Sequence, residues 1–183
     1  MVLQAGLFIF GSLILAWFSR ESLRKPGAHG FPRFFAWEAI LALLVLNGPV
    51  WFDDRFALHQ LISWALLFTS IGVLIAGLHL LRRVGQPGPA RDDIELFAFE
   101  RTSTLVSVGI FRYIRHPMYS SLLLLAWGVF FKQPGLAGLF CAVTATFCLW
   151  LTALRDETEC LAHFGDDYRR YMQSSKRFFP FVF

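Results

Sequence analysis

Charged side chains are scarce in this chain of 183 residues, making up 16% of it, whereas hydrophobic residues make up 56%. A water-soluble domain of this size cannot bury so much apolar surface, so an ordinary soluble globular fold is excluded. The length leaves room for one domain. No Gly-x-Gly-x-x-Gly pattern follows a strand-like segment, which excludes a nucleotide site of the Rossmann type.

Cysteines are few, and the first apolar segment contains no basic residue. Cys141 and Cys148 lie in one apolar run and Cys160 lies in the polar tail, so they provide no disulfide framework. Cys160 and His163 share a helix face, but two ligands without a second pair do not predict a metal site. Because residues 1–18 lack the basic start of a cleaved signal peptide, we interpret them as a first membrane span.

Long apolar runs dominate the chain instead. They cover residues 2–18, 34–52, 57–81 and 118–154, the last broken at 132–135. Runs of this length are typical of membrane helices. We therefore predict an all-α, polytopic membrane protein with about five transmembrane helices and a cytosolic C-terminal helical tail. The chain is predicted to form a single membrane domain. Residues 1–81 are a three-helix scaffold. Residues 82–183 comprise an interfacial segment, helices four and five and the tail, which together form a ligand site.

The last two predicted spans have distinctive ends. The fourth has only about 14 apolar residues, which cover about 21 Å of a hydrocarbon core roughly 30 Å thick. The fifth is predicted to leave the hydrocarbon after Leu154, where the charged residues 155–159 begin. In the tail that follows, Gly165 is a predicted helix stop between two short helices.

Lysine and arginine are distributed unevenly among the connections. Fifteen of the 17 follow spans one, three and five, and only Arg55 and Lys132 lie in the other two connections. Because basic loops remain on the cytoplasmic side, this predicts an external N-terminus and a cytosolic C-terminus and active site. The net charge of +4 fits anchoring beside anionic membrane lipids and requires no nucleic-acid partner.

Polar groups cluster in three segments on the predicted cytosolic side. These segments are residues 102–106, 115–119 and 156–157. Pro117 suits the first turn of a helix, and the free amides of that turn, with Arg115 and His116, attract an anion. Asp156 and Glu157 can accept hydrogen bonds from ribose hydroxyls or pair with an ammonium group. S-adenosylmethionine (SAM), which has a carboxylate, an ammonium, ribose hydroxyls and a sulfonium, fits this mixture of groups.

A longer pattern in the same region resembles a known family. It comprises Thr104–Tyr119, Asp156–Glu157, Phe164–Tyr168, Tyr171 and Arg177–Pro180. In order and spacing it resembles the superfamily of isoprenylcysteine carboxyl methyltransferases and phospholipid methyltransferases, over roughly residues 95–183. The resemblance implies an integral membrane enzyme that uses SAM and releases S-adenosylhomocysteine. The implied acceptor is a lipophilic small molecule or a lipid: a prenylcysteine-like carboxylate, a lipid amine or another small lipophile.

The resemblance also implies which residues bind the cofactor. They are Ser103, Thr104, Leu105, Val106, His116, Pro117, Met118, Tyr119 and Asp156 beside Glu157, and Arg115 joins them on its charge. Which of the two acids contacts SAM stays open, since the family usually has paired glutamates there. Thr152 occupies the position of the arginine that binds the substrate carboxylate in the prenylcysteine enzymes, and Arg155 lies one turn away. We therefore predict Thr152 and Arg155 as substrate-binding residues.

No general base follows from the sequence. Methyl transfer is an in-line displacement that depends mainly on positioning, although a protonated nucleophile must also lose its proton. His116, Tyr119 and Glu157 are candidates by location, and no metal is predicted. Two alternatives remain. One is a non-enzymatic transport or assembly subunit, and the other is an intramembrane hydrolase using Ser120 or Ser121 with His116, although no oxyanion motif is visible.

Overall fold

The computed structural model describes residues 2–85 and 104–180, which form seven α-helices and no β-strand. The helices are α1 (Val2–Phe18), α2 (Arg20–Leu23), α3 (Gly30–Asn47), α4 (Leu58–Val84), α5 (Pro117–Phe130), α6 (Leu136–Phe164) and α7 (Asp166–Ser174). Short 3₁₀ turns occupy Gly48–Val50 and Gly109–Arg112. The predicted all-α, polytopic membrane architecture is confirmed.

Three of the described helices are long and apolar enough to cross a membrane: α3 with the turn that follows it, α4 and α6. The predicted first and fourth spans, α1 and α5, are apolar but shorter, with 17 and 14 residues. Large side chains on the outer faces, such as Phe10, Phe68 and Phe140, are 65%, 66% and 74% exposed. Exposed apolar surface of this extent is expected where helices face lipid.

The core of the bundle lies among α3, α4, α5 and α6. α3 packs mainly against α6, α4 against α5, and α1 against α3. The buried residues between them are Ala39, Ile40, Leu43, Leu67, Ala126, Val129, Phe130, Ala142 and Ala145. Alanines are frequent among them, because membrane helices associate through close packing of their backbones.

Gly77 allows α4 to lie close to the first turn of α5. A Cβ atom at this position would lie 3.3 Å from both Met118 Sδ and Pro117 Cγ, so a larger side chain would press on that turn. Pro117 occupies the start of α5, as predicted, where its missing N–H group is not needed. The contact between α4 and the first turn of α5 therefore holds these two helices together beside the predicted site.

α6 continues beyond the apolar segment that was predicted to span the membrane. Its apolar part ends at Leu154, but the helix runs on to Phe164 because charged residues do not interrupt a helix. The helix ends at Gly165, whose φ of +58° is a conformation that favours glycine. The predicted helix stop at Gly165 is confirmed, although the helix before it is the long α6 rather than a short tail helix.

Candidate active site

A cavity lies at the end of the bundle where α5 begins. It holds about 110 Å³ of space accessible to water and opens to the surface. Of the predicted cofactor residues, those that line it are Leu105, Val106, Arg115, His116, Pro117, Met118, Tyr119 and Asp156. The other lining residues are His29, Leu81, Phe111, Cys160, Phe164, Tyr168 and Tyr171. The three predicted polar segments therefore meet at one cavity.

Two described residues of the predicted cofactor set do not line the cavity. Thr104 is exposed, and its backbone N–H donates to the carbonyl oxygen of Gly85 at 3.3 Å. Glu157 is buried behind the wall, and Ser103 lies outside the described residues.

The two predicted substrate-binding residues also make other contacts. Thr152 is fully buried, and its hydroxyl donates to the carbonyl oxygen of Cys148 at 2.7 Å. The guanidinium of Arg155 donates to the carbonyl oxygen of Pro26 at 2.6 Å. Neither side chain lines the cavity, and their predicted role in binding substrate stays a prediction.

Glu157 is 4% exposed and holds three basic side chains together. Its Oε1 accepts hydrogen bonds from Arg115 Nε and Arg177 Nε, both at 3.0 Å, and lies 3.3 Å from His116 Nε2. Its Oε2 accepts a second bond from Arg177 at 2.8 Å. These contacts engage both carboxylate oxygens of Glu157. The hydrogen bonds and charge of Glu157 also raise the pKa of Arg177.

The segment after α7 closes this end of the molecule. The backbone N–H of Arg115 donates to the carbonyl oxygen of Lys176 at 2.7 Å, and the N–H of Lys176 donates to that of Tyr113 at 2.9 Å. The Arg115 guanidinium also donates to the carbonyl oxygens of Met172, at 3.1 Å, and Ser175. Arg115 thus joins the start of α5 to the C-terminal segment.

Asp156, unlike Glu157, faces the cavity. Its Oδ2 accepts a hydrogen bond from the Tyr119 hydroxyl at 3.1 Å and lies 3.5 Å from His116 Nδ1. The rings of His116 and Tyr119 stack with their centroids 5.3 Å apart. A carboxylate, a phenol and an imidazole therefore share one wall of the cavity.

His116 lies between the two acids. Burial disfavours its charged form and lowers its pKa, but the hydrogen bonds and negative charges of Asp156 and Glu157 outweigh burial, so the pKa of His116 is raised. Burial also raises the pKa values of Tyr168 and Tyr171. The two tyrosines are therefore neutral phenols at neutral pH, and the raised pKa extends the cationic form of His116 to higher pH.

His29 lines the cavity although the sequence analysis did not single it out. It belongs to the loop before α3 and is 1% exposed. Its backbone N–H donates to Glu159 Oε1 at 2.9 Å, and its Nδ1 lies 2.6 Å from Glu159 Oε2. The contact joins residues 130 positions apart in the chain, so no local pattern could predict it.

One group of side chains among the described residues is suited to holding a cation. His29, Asp156 and Glu159 place possible ligand atoms within 4.8 Å of one another. The pair considered from sequence, Cys160 and His163, is not part of this group; the Cys160 thiol lies 3.5 Å from Asp156 Oδ1.

The geometry gives no support to the hydrolase alternative. The Ser120 hydroxyl contacts the carbonyl oxygens of Phe178 at 2.8 Å and His116 at 3.0 Å, and the Ser121 hydroxyl donates to that of Met118 at 2.7 Å. Neither serine lines the cavity, and both hydroxyls bond to backbone rather than to an imidazole nitrogen. Ser120 and Ser121 thus hold the first turns of α5 in place.

Comparison with known proteins gives one match. Residues 92–166 match the family model described as phospholipid methyltransferase. The predicted resemblance to the superfamily of isoprenylcysteine and phospholipid methyltransferases is thereby confirmed. The match covers less than half of the chain, and neither a curated protein nor a solved structure gives a significant match.

The matched region contains all the predicted cofactor residues and most of the cavity wall. Together with the apolar helices, it identifies the chain as an integral membrane protein and supports a membrane methyltransferase in general. It therefore favours the enzyme over the non-enzymatic subunit.

Proposed function

We propose that the chain transfers the methyl group of SAM to a lipophilic acceptor in the cavity at the start of α5. The observation that carries this proposal is that residues 105–106, residues 115–119 and Asp156 line one cavity within the methyltransferase region. The mixture of apolar, acidic and imidazole groups in the cavity wall supports a ligand of SAM's chemistry.

Each part of the cavity has a proposed task. Leu105, Val106 and Met118 provide apolar surface for the adenine and the thioether chain. The amides at the start of α5, with cationic His116, attract the carboxylate. Asp156 accepts hydrogen bonds from ribose hydroxyls or pairs with the ammonium.

For the acidic pair, we propose Asp156 as the cofactor contact and Glu157 as its support. Asp156 lines the cavity, whereas Glu157 is buried behind its wall and contacts Arg115, Arg177 and His116. Ser103 and Thr104 stay in the proposed set on the resemblance alone.

The proposed orientation places the cavity on the cytosolic side and the N-terminus outside. The cavity lies at the end of the bundle that carries most of the lysine and arginine residues. A water-soluble cofactor would then enter from the cytosol and the acceptor from the surrounding lipid. The product leaving the cofactor site would be S-adenosylhomocysteine.

Methyl transfer requires the protein mainly to position the acceptor and the cofactor relative to each other. SAM supplies a methyl group already activated by its sulfonium. The chain has to hold the acceptor's nucleophilic oxygen, nitrogen or sulfur near 3 Å from that carbon and exclude water, which contributes several kcal/mol through orientation.

Two measurements test the proposed function. S-adenosylhomocysteine should raise the thermal midpoint of the purified protein, because a ligand that binds only the folded state stabilises it, by about 2.7 kcal/mol at 100 times its Kd. Methyl-labelled SAM should then label a component of a membrane-lipid extract, and its identification gives the acceptor. A chain that neither binds S-adenosylhomocysteine nor labels any lipid would be the non-enzymatic subunit.

A further inference from the structure

We propose that the Tyr168 hydroxyl donates a hydrogen bond to the nucleoside part of the cofactor. This inference rests on the proposed methyltransferase function and adds a binding residue that has no role assigned from the sequence. The nucleoside consists of the adenine base and the ribose, whose nitrogen and oxygen atoms accept hydrogen bonds without carrying a negative charge.

Tyr168 lies on the buried side of α7. This helix follows directly after Gly165, and Tyr168 and Tyr171 are its buried residues. Because they are three positions apart, they lie on the same side of the helix. Both line the cavity, and their rings meet edge to face with the centroids 5.8 Å apart. α7 therefore contributes two phenol groups to the cavity wall.

Three tyrosines line the cavity, and the hydroxyls of two of them bond to the protein. The Tyr171 hydroxyl donates to the carbonyl oxygen of Phe111 at 2.5 Å, and the Tyr119 hydroxyl donates to Asp156 Oδ2 at 3.1 Å. The Tyr168 hydroxyl makes no hydrogen bond to any residue that the structure describes. Because burying a hydroxyl without a partner is unfavourable, we expect a ligand to supply the missing partner.

The Tyr168 oxygen can be reached from the cavity. Within the described ranges, Glu38 Oε1 and Ser63 Oγ are buried polar atoms that are shielded from solvent and have no partner. The Tyr168 oxygen is not shielded in this way, although its side chain is buried and only 3% of the residue is exposed. Since Tyr168 lines the cavity, the accessible surface of its hydroxyl is open to a ligand bound there.

The surroundings of Tyr168 favour an uncharged acceptor for its hydrogen bond. Burial raises the pKa of Tyr168, and electrostatic interactions with Cys160, Asp156 and Glu157 raise it further, whereas the charge of Arg115 lowers it. The phenol is therefore a hydrogen-bond donor at neutral pH. The two acids beside it disfavour a ligand carboxylate at the same place, because like charges repel.

The nucleoside is the part of the cofactor that meets these requirements. The carboxylate suits the amides at the start of α5 with His116, and the ammonium offers donors rather than acceptors. Adenine nitrogens and ribose oxygens are uncharged acceptors. Phe164 also lines the cavity, and its aromatic ring, with those of the tyrosines, provides apolar surface that suits a planar base.

The test compares the binding of two ligands to the full chain in lipid nanodiscs by isothermal titration calorimetry. S-adenosylhomocysteine contains the nucleoside and the amino-acid part, whereas 5′-methylthioadenosine contains the nucleoside without the amino-acid part. Tyr168→Phe removes only the hydroxyl. It should weaken the binding of both ligands by the same factor, about 3- to 10-fold, the usual effect of losing one hydrogen bond between neutral groups.

Two other tyrosine variants provide the controls. Tyr113→Phe should bind both ligands as the wild type does, because Tyr113 is exposed and does not line the cavity. Tyr171→Phe loses the bond to the Phe111 carbonyl, so it should lower the thermal midpoint of the ligand-free protein. Tyr168→Phe should leave that midpoint unchanged, because it breaks no hydrogen bond within the described protein. This contrast separates a role in binding from a role in stability.

Three results would overturn the assignment of Tyr168. Wild-type affinity of Tyr168→Phe for both ligands would remove its hydroxyl from the cofactor site. A loss confined to S-adenosylhomocysteine would place the bond on the amino-acid part. A thermal midpoint that falls in Tyr168→Phe as far as in Tyr171→Phe would show that the hydroxyl supports the fold instead. A wild-type protein that binds neither ligand would contradict the methyltransferase function itself.

Discussion

Two buried charged side chains lie near opposite ends of α5, and different kinds of contact stabilise their charges. Glu157, near the first turn, is surrounded by Arg115, Arg177 and His116 and lies behind the cavity wall. Lys132, beyond the last turn, is 1% exposed and has its Nζ 3.4 Å from the centroid of the Trp64 ring.

Lys132 has no acidic contact among those described. Its Nζ donates to Gln60 Oε1 at 3.0 Å and lies 5.1 Å from the centroid of the Trp51 ring. Burial lowers the pKa of Lys132, and the electron-rich ring faces partly compensate its charge. Lys132 does not line the cavity. The two buried charges therefore differ in their surroundings: Glu157 contacts Arg115 and His116, which line the cavity, whereas Lys132 lies among aromatic rings and does not line it.

Removing Glu157 should have the largest effect on stability. Glu157→Ala leaves three basic groups without their carboxylate, and breaking a buried ion pair in this way costs about 3–5 kcal/mol. The thermal midpoint in detergent should fall by many degrees. Glu21→Ala, which removes an exposed contact to Arg24, is the control and should cost less than about 1 kcal/mol. Equal midpoints in the two variants would contradict the structural role of Glu157.

Removing the charge of Asp156 should affect binding more than folding. Asp156→Asn keeps the side-chain volume but loses a charged acceptor in the cavity wall, so affinity for S-adenosylhomocysteine should fall by about 10- to 100-fold, the effect of losing a charge-assisted hydrogen bond. Isothermal titration calorimetry measures this effect. Asp166→Asn, at an exposed acid on α7, should bind as the wild type does. If both variants bind equally, Asp156 is not a cofactor contact.

Changing Lys132 should have a smaller effect, confined to stability. Lys132→Met fills a similar volume but loses the cation–π contacts and the Gln60 hydrogen bond, which together contribute about 1–2 kcal/mol. Affinity for S-adenosylhomocysteine should stay unchanged in the same calorimetric assay. A Lys132→Met protein with impaired cofactor binding would show that the two ends of α5 are coupled.

The smallest expected effect is a pH dependence of stability. Because the pKa of His116 is raised in the folded protein, its charge stabilises the fold fully below the ordinary histidine value of about 6.5. This stabilisation is lost as the pH rises through the raised value. Thermal unfolding of the wild type and His116→Gln between pH 5 and 9 should therefore differ most at the acidic end. A difference that grows with pH would contradict this assignment.

Features that depend on neighbouring residues were predictable from the sequence. The apolar runs gave the helices, Pro117 marked the start of α5, and Gly165 marked the end of α6, because each acts through its own backbone geometry. The meeting of residues 105–106 and 115–119 with Asp156 followed from the family pattern.

Features that depend on distant parts of the chain were not predictable. The contacts of Glu157 with Arg177 and of Arg155 with the loop at Pro26 form only in the folded bundle, so the sequence did not predict them. Residues 1–81 were predicted to be a scaffold only. The sequence therefore did not predict that His29, in the loop before α3, lines the cavity. Arg155 and Glu159 are one helical turn apart and therefore lie on the same side of α6. The sequence does not show which part of the protein that side contacts.

The contacts of residues 175–178 also determine when the cavity can form during synthesis of the chain. These residues bond to Arg115 and Ser120 and carry the guanidinium that neutralises Glu157, so one wall depends on them. While the ribosome is still translating the earlier helices, the nascent polypeptide has no finished pocket. The cavity wall is therefore complete only after residues 175–178 have been synthesised and have packed against the start of α5.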